Sequence, residues 1–273
     1  MSKIYVCPTP LGNLQDMTFR VIDILKKVDF IAAEDTRHSI KLLNHFDINT
    51  KMISYHEHNE NSRSEEIISR VKNGEDCALI SDAGMPGISD PGQILIKKAL
   101  DEEIQVEVLS GGSAFLLALV ASGFNTDRFV FEGFLPRKSG EKIEKLKELK
   151  EERRTLIIYE APHRIIKTLK DIEEVFGNRE ISISREITKR FEEQIRGDIL
   201  QVIDELSKAT VRGEFVVVIR GYQGIIEEKE EISIEDQLKI FLQEGYSKKE
   251  AVKLTVKKLN VRRNEAYQKS LEI

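Results

Sequence analysis

The chain has no tryptophan, two cysteines and six prolines in 273 residues, and each scarcity removes a class of protein. Cys7 and Cys77 form no C-x-x-C pair and lie inside apolar runs, so a disulfide framework is set aside. Both read as small buried fillers in a reducing compartment. No apolar stretch reaches membrane-spanning length. Met1-Ser2-Lys3 runs straight into a strand without a signal peptide, so a cytoplasmic protein with no membrane partner is expected. Neither G-x-G-x-x-G nor G-x-x-x-x-G-K-[ST] occurs, which disfavours nicotinamide and nucleoside-triphosphate enzymes. There is no nucleophile elbow. His56-x-His58 lacks the third and fourth ligands that a metal needs, and no metal is expected.

Charge is present in both signs, and it is unevenly spread. Charged residues make up 33% of the chain and the net charge is −5. From Ser247 to Ile273 eight Lys/Arg face three Glu, so a basic tail follows an acidic body. Such a tail suits a polyanion, or simply a solvated helix. Three helices fit this region. The first buries Leu238, Phe241 and Leu242. The second starts at Ser247, capped by Glu250, and a turn at Asn260-Val261 leads to a third carrying Ala266, Tyr267 and Leu271. That outline resembles a helix-turn-helix unit. An acidic linker, Glu227 to Glu231, precedes it.

Before the tail, short apolar runs alternate with amphipathic ones. Ile4–Cys7, Phe30–Ala33, Met52–Ser54, Cys77–Ile80 and Val106–Leu109 read as strands, each but the last followed by a helical pattern. The third helix carries Ser62 and Glu65 at capping-box spacing. After Gly111-Gly112 the rhythm resumes, with strands at Phe129–Phe131, Leu156–Tyr159, Ile181–Ile183 and Phe215–Ile219. The solvated helix within 140–154 is assigned no chemistry. This alternation predicts an α/β protein with a mostly parallel sheet. The expected boundaries are 1–111, 112–224 and 232–273.

Polar motifs stand at the carboxyl ends of these strands, where open α/β sheets bind ligands. The richest is Ser81 to Gly92, whose three glycines and two prolines turn the chain tightly around Asp82 and Asp90. Pro8 to Leu14 follows the first strand and could line the same site from the opposite side. Glu34-Asp35-Thr36-Arg37-His38 and Tyr55 to Glu60 follow the second and third strands. Asp35 could cap the next helix, but Arg37 and His38 beside it favour a substrate-facing role. Arg164, Arg185, Lys189 and Arg190 follow later strands and could clamp phosphates, or form ordinary surface pairs.

Seven of these motifs, in order, resemble the tetrapyrrole (precorrin) methylase superfamily, and within it the branch that methylates small-subunit ribosomal RNA. They are Pro8–Leu14 with Asp16 and Thr18, Ala33–Arg37, Ser54–Glu60, Ser81–Gly92, Phe131–Pro136, Tyr159–Arg164 and Arg185–Lys189. The match spans residues 3 to 221 and extends into the tail. It implies two α/β domains of the tetrapyrrole methylase type with a cofactor cleft between them, plus a small C-terminal helical domain. The implied cofactor is S-adenosylmethionine, contacted by Leu11, Asp82, Met85, Ser113, Ala114, Tyr159 and Phe215. The implied activity is 2′-O-methylation of a cytidine in the decoding region, on ribosomal RNA or the assembled 30S particle, by a homodimer. This chain has Met85-Pro86-Gly87 where the family has Thr-Pro-Leu, and Ser110 to Ser113 where Pro-Gly-x-x-Ala is usual.

A ribose hydroxyl is a weak nucleophile and needs a base or a cation beside it. The candidates are Glu186 or His56 as base and Lys189 as cation. Arg37, His38, Asn59, Glu60, His163, Arg164 and Arg185 are the expected substrate contacts. A small-molecule tetrapyrrole C-methyltransferase and a non-catalytic nucleic-acid-binding protein are the alternatives.

Overall fold

The computed structural model describes residues 2–208, 211–224, 233–259 and 261–273. One compact unit ends at Tyr222 and a second begins at Gln223. The first unit holds two sheets.

The first sheet is built from β1 (Lys3–Val6), β2 (Phe30–Ala33), β3 (Met52–Ser54), β4 (Cys77–Ile80) and β5 (Gln105–Val108). Their order is β3-β2-β4-β1-β5, and every pair is parallel. β2 and β4 are buried along their whole length. That is why they read as continuous apolar runs rather than as alternating ones. Helices α1 (Phe19–Lys27) and α2 (Thr36–His45) bury Val21, Leu25 and Leu43 on one face. Helices α3 (Glu60–Lys72) and α4 (Gln93–Asp101) bury Ile67, Val71 and Leu95 on the other. The chain therefore leaves β1 toward one face and the adjacent β4 toward the opposite face. A crevice opens between their carboxyl ends, the usual ligand position in such a sheet.

Ser62 and Glu65 form no capping box. α3 begins earlier, after Asn59, whose side chain accepts from the His56 N–H and donates to the Ser54 carbonyl.

The second sheet comprises β6 (Phe129–Phe134), β7 (Thr155–Glu160), β8 (Glu180–Arg185), β9 (Glu193–Asp198) and β10 (Phe215–Ile219), in the order β6-β7-β10-β8-β9. Only β6 and β7 run parallel, and the other three pairs are antiparallel. The expectation of a mostly parallel arrangement holds for the first sheet and fails here. Sequence reading missed β9 altogether. It is an edge strand, Glu-Gln-Ile-Arg-Gly-Asp, that buries only Ile195. Helix α5 (Ala114–Ser122) covers one face, while α6 (Ser139–Leu149), α7 (Ile165–Phe176) and α8 (Ile199–Ser207) cover the other.

The second unit contains α9 (Ile234–Gln243), α10 (Lys248–Leu259) and α11 (Arg263–Leu271) around Leu238, Ala251, Val252 and Ala266. Glu250 accepts from both the backbone and the hydroxyl of Ser247, the expected cap. Of the residues carried by the third helix, Ala266 is buried while Tyr267 and Leu271 are exposed. The acidic linker at 227–231 and Asn260 lie outside the described residues.

Candidate functional site

Two adjoining loops build the site. Thr9 and Gly84 exchange backbone hydrogen bonds of 2.9 and 3.0 Å, and the Thr9 hydroxyl donates to the Ser81 carbonyl at 3.1 Å. These bonds stitch the loop after β1 to the loop after β4. Gly84 has φ +83°, and a Cβ there would come 3.1 Å from Leu11. Glycine thus serves both the turn and the close approach. The loop after β2 joins them reciprocally. Asp82 Oδ1 accepts the Asp35 N–H at 3.2 Å, and Glu34 Oε2 accepts the Asp82 N–H at 3.3 Å.

All seven residues expected to contact the cofactor line one cavity of about 320 Å³. Leu11, Met85, Ala114 and Phe215 supply apolar wall. The Tyr159 hydroxyl accepts the Phe115 N–H at 3.2 Å, tying the end of β7 to the start of α5. Five carboxylates also reach this wall, namely Glu34, Asp82, Asp90, Glu160 and Glu214. Burial, together with the charges of Glu34 and Asp82, pushes the Asp90 carboxyl up to about 7. Burial likewise raises Glu34, against the Asp82 N–H that it accepts. An apolar wall beside clustered carboxylates suits a cationic ligand that carries an aromatic ring and hydroxyls.

Glu34, Asp90 and Glu214 were missed as site residues. Asp90 lies in the loop that sequence reading ranked first. Glu214 precedes a buried strand and carries no local signal of its own.

Lys189 lies across Gly12, where an added Cβ would come 2.2 Å from the lysine Cγ. Its ammonium donates to Glu186 Oε1 at 2.9 Å and to Glu214 Oε2 at 3.0 Å. The loop is held tightly, with φ of +53° at Glu186 and +64° at Thr188. Burial opposes charge on both partners, but their hydrogen bonds outweigh it. Lys189 is raised and Glu186 lowered from their ordinary values.

The expected base role fits Glu186 poorly. Its carboxylate already accepts from Lys189 and from the Glu214 N–H. His56 lines neither this cavity nor the one beside it. It packs at the end of β3 against Asn59, with Nδ1 buried and unbonded.

Most of the expected substrate contacts are turned to other work. Arg37 pairs with Asp35, the N-cap of α2. Asn59 braces the His56 turn, and Glu60 accepts the Gly92 N–H at 3.1 Å. Arg164 is bound to buried Glu160 and to the Leu135 and Pro136 carbonyls. Arg185 pairs with Glu193 across β8 and β9. His163 is exposed. Of this group only His38 lines a cavity, a second one to which Lys189 also belongs. Among the described residues no cluster of His, Cys, Asp or Glu could hold a metal, and no helix is long and apolar enough to cross a membrane.

Residues 3–203 match the family model of Tetrapyrrole (Corrin/Porphyrin) Methylases. The chain is 44% identical to ribosomal RNA small subunit methyltransferase I of Bacillus subtilis, over 98% of this chain and 93% of that one. It is 42% identical to the protein of the same name from Synechocystis, over 100% and 99%. Among solved structures it resembles cobalt precorrin-4 methyltransferase, with TM-score 0.60, 15% identity and coverage of 80% and 94%. It also resembles uroporphyrin-III C-methyl transferase from Thermus thermophilus complexed with S-adenyl homocysteine, with TM-score 0.58, 15% identity and coverage of 80% and 97%. These structural likenesses share the fold. The parallel first sheet with its crevice at β1 and β4, and identity above 40% along almost the whole chain, place this protein in the tetrapyrrole methylase family, among the relatives of ribosomal RNA small subunit methyltransferase I.

Proposed function

We propose that this chain is an S-adenosylmethionine-dependent methyltransferase that modifies the ribose 2′-hydroxyl of a cytidine in the decoding region of small-subunit ribosomal RNA. The observation that carries the reading is the first cavity, which is lined by all seven residues that the family resemblance implies as cofactor contacts.

When bound, S-adenosylmethionine supplies a methyl group made electrophilic by its sulfonium. Leu11, Met85, Ala114 and Phe215 would pack its flat and aliphatic parts, while Asp82 and Asp90 would face its hydroxyls and positive charge. Lys189, fixed as a cation by Glu186 and Glu214, stabilises oxygen charge that develops on the acceptor hydroxyl. Glu186 is then a positioning residue.

The basic unit favours RNA over a tetrapyrrole as acceptor. Lys253, Lys257, Lys258, Arg262 and Arg263 are exposed and make no ion pair with a described residue. The RNA-methyltransferase relatives extend over this region, whereas the family model ends at residue 203. The same reading has the chain act in the cytoplasm on the 30S particle or its RNA. It pairs with a second copy through the exposed apolar ridge of Leu116, Leu117 and Val120 on α5.

The test supplies labelled S-adenosylmethionine and small subunits lacking the modification. The expected product is one methylated cytidine ribose in the decoding region. Label elsewhere, or none, overturns the reading. Sedimentation of Val120→Glu tests the pairing, and an unchanged mass would refute it.

A further inference from the structure

A second cavity, of about 590 Å³, adjoins the first and shares with it Leu11, Asp82, Ala83 and Glu214. Its other walls are of a different kind. The loop after β1 contributes Pro10, Gly12 and Leu14, and α2 contributes His38, Lys41 and Leu42. Leu14 is 40% exposed although it carries no surface charge to solvate it. His38 and Lys41 are exposed and make no ion pair with a described residue. Lys189, by contrast, is paired with two glutamates. The Lys189 side chain lies over Gly12 on this side of the shared wall.

The chamber thus offers apolar side chains, the Lys41 ammonium and the His38 imidazole, neither in an ion pair with a described residue, and the Lys189 ammonium beside the residues shared with the first cavity. In-line methyl transfer requires the acceptor oxygen to reach the methyl carbon directly, which places the reacting atoms at the edge where the two cavities share Leu11, Asp82, Ala83 and Glu214. The acceptor side must hold a sugar attached to a flat base and flanked by phosphates. An RNA nucleotide lifted out of its stack has that chemistry, and a pocket of this size class accommodates such a group.

We propose that this second cavity receives the acceptor nucleotide, unstacked, with its base over Leu11, Leu14 and Leu42, its flanking phosphates toward His38 and Lys41, and its ribose at the wall of Asp82 and Lys189. The proposal rests on the RNA methyltransferase reading and names the chamber that gives it specificity for a single-stranded nucleotide.

The experiment measures steady-state methylation of unmodified small subunits by intact protein carrying Lys41→Glu, or His38→Ala with Leu42→Ser, and calorimetric binding of S-adenosylmethionine to the same variants. Lys147→Glu, an exposed charge reversal on α6, is the control. The expected result is a tenfold or larger rise in KM for subunits, with cofactor affinity within twofold of wild type and the control unchanged. A KM within twofold of wild type overturns the proposal. So does an equal loss in the control, or a matching loss of cofactor binding, because the effect would then not be local to the chamber. If wild type itself fails to methylate subunits, the broader functional reading falls instead.

Discussion

The two cavities meet at Asp82 and Glu214 but are otherwise walled by opposite charge. The carboxylates Glu34, Asp90 and Glu160 belong to the first alone, while the cations Lys41 and Lys189 belong to the second alone. A sulfonium donor is positive and an RNA acceptor is negative. On the proposed reading, the fold would sort two reactants of opposite sign by the cavity in which each charge stands. The sorting uses the crossover at β1 and β4, since α2 supplies the cationic side and the loop before α4 the anionic one.

The sharpest way to break this comparison is Lys189→Ala. Losing one donor to a developing oxyanion should lower kcat by about 10²–10³-fold, while S-adenosylmethionine affinity stays near wild type. Parallel loss of kcat and cofactor binding would place Lys189 on the wrong side. Asp82→Asn should do the reverse. It keeps an acceptor for the Asp35 N–H and removes the charge, so cofactor Kd should rise roughly 10–100-fold, the worth of a charged hydrogen bond. Calorimetry decides it.

Gly12→Ala should displace Lys189 without touching the first cavity, because the new Cβ would overlap the lysine Cγ. A loss of about tenfold in kcat, with cofactor affinity and melting temperature little changed, would sharpen the division. An unaltered kcat would weaken it.

Asp90 gives a pH-dependent form of the test. Its folded carboxyl binds its proton more tightly than the unfolded one, so the unfolded state releases the proton first as pH rises. Stability should fall between about pH 4 and pH 7 and then level off. Asp90→Asn should remove that fall and stabilise the ligand-free protein at pH 8 by about 1 kcal/mol, a value discounted for partial solvation. Urea melts at pH 5 and pH 8 measure it, and equal gains at both would refute the assignment. The smallest effect expected is in the tail. Replacing Lys257 and Lys258 by serine should reduce the slope of log affinity for RNA against log salt by roughly 1–2. An unchanged slope would remove the tail from the RNA interface.

The loops of the first cavity were legible because they carry their own chemistry, whereas its seven cofactor contacts were implied by the family resemblance. Ser81 to Gly92 cannot be an ordinary turn, and its two aspartates both reach the wall. Expected phosphate contacts failed for an equally physical reason. An arginine after a strand looks the same in sequence whether it faces a ligand or a buried glutamate, and only packing showed that Arg164 is held by Glu160. Lys41 carried no signal at all, since an exposed helical lysine is unremarkable until the chain beside it forms a chamber.

What the sequence determined by itself was the strand–helix rhythm, the buried parallel strands of the first half, the basic tail and the loops at strand ends. Each follows from local periodicity, backbone preference or composition. The tertiary structure alone decided that the second sheet is mainly antiparallel, that Glu186 pairs with Lys189, and that Glu34 and Asp90 line one cavity while Lys41 and Lys189 line its neighbour. Those outcomes depend on which residues distant in the chain come within a few ångströms of one another, and Coulomb and packing energies act over those distances rather than along the sequence.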